Sequence, residues 1–172
     1  SRANRSAICS TENIRPNFGY CAAQKTRYFG YKLHAVCDKN GVFHSFDFSP
    51  ANVHDVNYLN DVKEKFKNCL LIGDRGYISK QLQIDLFNYS NIKLSVPMRK
   101  NQHDFVVFSK TKSKSRKRIE TAISQLNGQF LIHTNLAKTF EGLAVRTASK
   151  ITSFTMIRYL NFFIFKRSLN KL

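Results

Sequence analysis

The sequence predicts an α/β fold: a β-hairpin, then alternating helices and parallel strands, then C-terminal helices. Three observations predict it. An Asn-Gly pair, Asn40-Gly41, separates two alternating runs. Strand-sized apolar runs then alternate with segments of helical spacing, as in parallel βαβ units. A long segment rich in Ile, Phe, Tyr and Leu closes the chain. With 172 residues, 42% of them hydrophobic and 13% aromatic, the expectation is one globular domain with a real core.

Residues 1–26 read as an irregular basic arm, since Pro16, Gly19 and scattered Arg residues show no sustained periodicity. From Tyr28 to Asp38 the chain alternates, with Tyr31, Leu33 and Ala35 on one face and Lys32, His34 and Val36 on the other. A second strand runs from Val42 to Phe48, and Pro50 ends it. Asn52 is placed to cap a helix whose apolar positions are Val56, Leu59, Val62 and Phe66, with Asn52-x-x-Asp55 as a capping pattern. Cys69 to Ile72 is a short buried strand closed by Gly-Asp-Arg-Gly. A helix over about 79–88 and a strand over 92–96 follow, the strand ended by Pro97. Six of the nine residues from Lys110 to Arg118 are basic, a cationic strap leading into a helix striped by Ile119, Ile123, Leu126 and Phe130. A last helical region spans about 139–167. Its apolar run is interrupted by Arg158 and Asn161 and is too short to span a membrane, so no membrane role is expected.

Charge sets the class of partner. With 28 Lys and Arg against 11 Asp and Glu, the net charge is +17 and the pI about 10.0, a surface that seeks polyanions, above all nucleic acid. Cys9, Cys21, Cys37 and Cys69 form no C-x-x-C pair and follow no secretory segment, so reduced cytosolic thiols are expected rather than disulfides or zinc. The chain opens on Ser1 without a Met and is read as a fragment.

Phosphodiester chemistry is commonly run by divalent ions held on carboxylates, so the informative residues are acids on rigid elements. Asp74 directly follows the apolar run Leu70 to Ile72, between Gly73 and Gly76, where the carboxyl end of a parallel strand faces the usual α/β crevice. Turn former and ligand are both open roles for it. Glu120 lies 120−74 = 46 residues later near the start of the striped helix, with Arg116 one turn before and Ser124 one turn after. A solvated Glu paired with Arg116 is the alternative reading. His54 and Asp55 are assigned to the helix cap, and His34 to packing or a DNA contact. Arg75 and Tyr77 stand at the mouth of the Asp74 turn, where phosphate contact is expected.

The runs Arg27-Tyr-Phe-Gly-Tyr-Lys-Leu-His34, Pro50-Ala-Asn-Val-His-Asp55, Ile72-Gly-Asp-Arg-Gly-Tyr77 and Arg118-Ile-Glu-Thr-Ala-Ile-Ser-Gln-Leu126 occur in that order. Together they resemble the catalytic domain of DDE-type transposases of bacterial insertion sequences, most closely the branch called the nine-eighty-two family. The resemblance implies a ribonuclease-H-like domain over 27–172, two Mg2+ (or Mn2+) ions, and metal-dependent cleavage and strand transfer at transposon ends. Asp74 matches the family's second carboxylate and Glu120 its third, both catalytic and metal-binding. The strand bearing the first Asp is missing, since only Glu12 lies upstream, and this chain alone is expected to be inactive. Arg75, Lys110, Lys112, Lys114, Arg116, Lys117 and Arg118 are the expected DNA contacts. Five phosphates met by the strap would give a salt slope of about −4 to −5. Implied surroundings are DNA, the bacterial cytoplasm and nucleoid, and a possible homodimer. The alternative functions are an inactive remnant that binds DNA or RNA through the same basic surface, and a ribosomal component.

Overall fold

The computed structural model describes residues 15–21, 24–98 and 105–169. Glu12 and Cys9 fall outside them. The element order is β1 (Asn17–Cys21), β2 (Thr26–Cys37), β3 (Phe43–Pro50), α1 (Tyr58–Lys65), β4 (Leu70–Ile72), α2 (Lys80–Ser90), β5 (Lys93–Ser95), α3 (Lys110–Phe130) and α4 (Phe140–Tyr159). By its internal contacts the chain groups into two compact units, residues 1–52 with 118–172, and residues 53–117.

In the first unit β1, β2 and β3 form an antiparallel sheet in that order. The hairpin lies where the alternation places it, with Tyr31 opposite Pro50 and His34 opposite Asp47. Its connection, however, is not a two-residue Asn-Gly turn. Asp38 organises a longer loop: its Oδ1 accepts from the Asn40 and Val42 amides at 2.8 and 2.9 Å, and its carbonyl accepts from Gly41 N. Gly41 has φ +80°, which a glycine adopts without strain. The register shifts between Val36 and Cys37, so the strand bulges just before the loop.

The irregular arm expected over 1–26 is corrected in part, because Asn17–Cys21 is a strand. Its own pattern is weak. Pairing with the long strand β2 supplies the missing order, and Gly19 leaves room for the Tyr28 ring of β2 and for Ala51, since a β-carbon there would stand 2.9 Å from Tyr28 Cζ and 2.7 Å from the Ala51 carbonyl oxygen. The strand reads Asn-Phe-Gly-Tyr-Cys and contains no carboxylate.

Tyr31 and Leu143 form one apolar cluster with Phe48, Ala137 and Phe140. Ala122, Leu126, Ile132, Ile151 and Phe154 form another, against which Leu33, Phe43 and Phe46 of the hairpin pack. Arg158, which interrupts the apolar run of α4 in sequence, is buried at 1% exposure. Its Nη1 donates to the Asn40 carbonyl at 2.7 Å and its Nη2 to Gln125 Oε1 at 2.9 Å, over the Phe154 ring. Thr139 caps α4 by accepting from Gly142 N, and a π-helical turn over Leu160–Ile164 follows the helix. No helix among the described residues is long and apolar enough to cross a membrane.

In the second unit β4 and β5 pair in parallel, Leu71 opposite Leu94, joined through α2 as the βαβ pattern predicts. Ser79 caps α2 through Leu82 N, and Asn91 ends it in the left-handed conformation at φ 50°. Tyr58, Leu59, Val62, Leu86 and Ile92 are buried, with α1 packed on α2. Lys63 Nζ meets Asp85 Oδ2 at 2.7 Å and Ser90 Oγ donates to the Lys63 carbonyl, tying the two helices. The Asn52 cap is not formed. A 3-10 turn over Asp55–Asn57 leads into α1 without a side-chain cap bond at His54 or Asn57.

Candidate functional site: the Asp74 turn and the basic half of α3

Three apolar residues, Leu70–Ile72, bring β4 to Gly73 and Asp74 at its carboxyl end. Gly73 N donates to the Ser95 carbonyl, extending the parallel ladder one residue past the strand. The chain then turns through a 3-10 turn at Arg75–Tyr77 with Asp74 as its cap: Asp74 Oδ1 accepts from Arg75 N at 2.6 Å, and its carbonyl accepts from Tyr77 N. Only one carboxylate oxygen is spent on that bond. The side chain is 69% exposed, so Asp74 both forms the turn and presents its acid outward.

Arg116 Nη1 stands 4.0 Å from Asp74 Oδ1. In so exposed a place the pair stabilises the fold by at most about 1 kcal/mol. Its larger effect is local, a cation held beside the acid.

Arg116 reaches that position because the basic segment is helical from Lys110 onward, which corrects the strap expected ahead of the helix. Lys and Arg favour helix, and Ser109 caps it, its Oγ accepting from Lys112 N and its carbonyl from Ser113 N. Lys112 Nζ then donates to Ser95 Oγ at 3.0 Å, docking the first turn on the end of β5. The helical form sorts the cations by face. Lys110, Lys114 and Lys117 are exposed, whereas Lys112, Arg116 and Arg118 are half-buried. No acid lies in the first turn, so cations crowd the positive end of the helix dipole, an arrangement that an incoming anion relieves. Arg75, exposed beside Asp74, adds one more.

Glu120 is exposed on the same helix, four residues after Arg116, and the buried Ala122 and Leu126 fix its segment in the first unit. Asp74 and Arg116 belong to the second unit, Glu120 and Arg118 to the first. The structure thus brings Asp74 together with Arg116 and Arg75. His34, open to a DNA-contact role in sequence, is instead buried, with its Nε2 2.8 Å from Ser49 Oγ.

A family profile described as a transposase DDE domain matches residues 7–156. The chain belongs to that family. No curated protein and no solved structure matches it. The mixed sheets and helices agree with the ribonuclease-H-like architecture expected of a DDE domain, and transposases of this kind act on DNA and generally use divalent metals.

Carboxylate oxygens suit magnesium or manganese in kind. Among the described residues, however, no three His, Cys, Asp or Glu side chains gather into a group that could hold a metal ion. The donor type fits, and the described residues supply part of a ligand set rather than a whole one.

Of the residues around the Asp74 turn in this DDE domain, sequence reasoning passed over Ser95, read Tyr77 as a phosphate contact and read Asp55 as part of a cap. Ser95 carries no motif and emerges only from the β4–β5 register. Tyr77 is half-buried, and burial pushes its phenol up to about 12, with Asp55, Tyr58 and Asp74 adding to the rise. Asp55 had a signal, its place in the Pro50 to Asp55 run, but was assigned to a helix cap.

Proposed function

We propose that this DDE domain, with its catalytic region over 27–172, belongs to the nine-eighty-two branch and cuts and joins DNA at insertion-sequence ends. Asp74 and Glu120 act as the second and third carboxylates. Lys110, Lys114 and Lys117 meet DNA phosphates along the exposed face of α3, with Arg75 beside them, while Arg116 steadies the acid. The observation that carries this reading is Asp74 itself: an exposed carboxylate at the carboxyl end of a parallel strand, with Arg116 at 4.0 Å. Magnesium or manganese is the proposed cofactor, completed by oxygen ligands beyond these two. When bound, it supplies charge that activates an attacking oxygen and stabilises a leaving one. The setting is the bacterial cytoplasm, with the protein as a homodimer on DNA.

The test uses the full-length protein encoded by the gene and supercoiled DNA carrying the element's ends, in magnesium or manganese. Nicking is expected, and Asp74→Asn or Glu120→Gln is expected to abolish it while circular dichroism stays unchanged. Nicking that survives both substitutions refutes the assignment.

A further inference from the structure

Asp55 is half-buried and opens the 3-10 turn that leads into α1. Its carboxylate lies against the Asp74 turn. A β-carbon built on Gly76 would stand 3.1 Å from Asp55 Oδ2 and 3.8 Å from its Cγ, so a side chain there would press the acid back by a few tenths of an ångström. On the other side of Asp74, a β-carbon on Gly73 would meet Val96 Cγ1 at 3.2 Å and the Tyr77 ring at 3.4 Å. Asp74 is therefore bracketed by two glycines, each pressed by a specific neighbour. The Tyr77 phenol senses the charge of both Asp55 and Asp74, and that of Asp55 more strongly. All these residues lie within the second unit.

We propose that Asp55 is a positioning residue whose carboxylate, seated on the Gly76 backbone, holds the Gly73–Tyr77 turn in the conformation that presents Asp74. The inference rests on the reading of Asp74 as an acting carboxylate. A turn of five residues with an exposed acid has little packing of its own, and the contact from Asp55 supplies what the strand end lacks. Residues that orient an acting carboxylate commonly matter nearly as much as the carboxylate.

Two measurements test it. Amide hydrogen exchange of the 73–77 segment, in the metal-free protein, is expected to quicken at least about tenfold in Asp55→Ala, with the α2 amides unchanged. Gly76→Ala is expected to loosen the same segment, and to add little once Asp55 is already Ala, because the contact it disturbs is gone. In the full-length protein, Asp55→Ala is expected to lower the nicking rate about 10- to 100-fold without changing the KM for DNA, and Asp55→Asn, of the same shape, to restore most of it. If Asp74 is required for nicking but Asp55→Ala changes neither exchange nor rate, the positioning role is wrong. If nicking survives Asp74→Asn, the functional reading fails first.

Discussion

Arg158 shows how one side chain can defeat a reading based on hydropathy. In sequence it interrupts an apolar run and looks like a break; in the fold it is among the most buried side chains, with Nε sealed away and without a hydrogen-bond partner among the described residues. Burial lowers its pKa, and Cys37 and Asp38 oppose that fall. The planar fork explains the choice of residue, because one guanidinium serves the Asn40 carbonyl and Gln125 together. Arg158→Lys keeps the charge and loses the fork, and urea melts are expected to show about 1.5–3 kcal/mol less stability. Gly41→Ala acts on the same contact from the other side. Its φ is +80° and its β-carbon would stand 2.7 Å from Arg158 Nη1, so a loss above about 1 kcal/mol is expected. No loss in either variant would show that the fork carries no stability. Neither partner of Arg158 was legible, since both are joined to it only by tertiary contact.

Among the elements, the hairpin, α2 and the two parallel strands were legible because alternation, a Ser79 cap and short apolar runs act locally. The start of α3 was not. A run of cations reads as solvated chain, and what makes it helix is the Ser109 cap with docking through Lys112 and Arg116. The difference alters a measurable quantity. A loose strap would offer all its charges, whereas the helix offers Lys110, Lys114 and Lys117 on one face. The triple substitution of those three by Ala is expected to make the slope of log affinity against log salt shallower by about 3, equally for unrelated duplex sequences. An unchanged slope in fluorescence anisotropy titrations would place the DNA elsewhere.

For the molecule as a whole, the α/β class was legible from the alternation of elements and the family from four motifs in order, whereas the grouping of contacts into two units was not, because contacts between residues far apart in sequence leave no local pattern. Each unit has a core that can be probed: Leu126→Ala in the first and Leu86→Ala in the second are each expected to cost about 2–5 kcal/mol, read from urea melts. Each unit also carries a group whose proton is held more tightly when folded. Burial, then Asp38, raises Cys37 from an ordinary 9.0 to about 11, against the opposing pull of Arg158. Tyr77 rises from 10.0 to about 12. In both cases the unfolded chain releases the proton first, so stability is intact below the ordinary value and falls as pH climbs, across about 9–11 for Cys37 and 10–12 for Tyr77. Urea midpoints measured from pH 8 upward should decline in that order, with Cys37→Ser removing the earlier fall and Tyr77→Phe the later. The seat of Asp55 on Gly76 also bears on how such a gene can drift. Two positions well separated in sequence share one small volume, so a side chain gained at 76 fits easily only where bulk at 55 has been surrendered, and with it the hold on the Asp74 turn; a lineage that keeps its activity is expected to keep both Asp55 and Gly76.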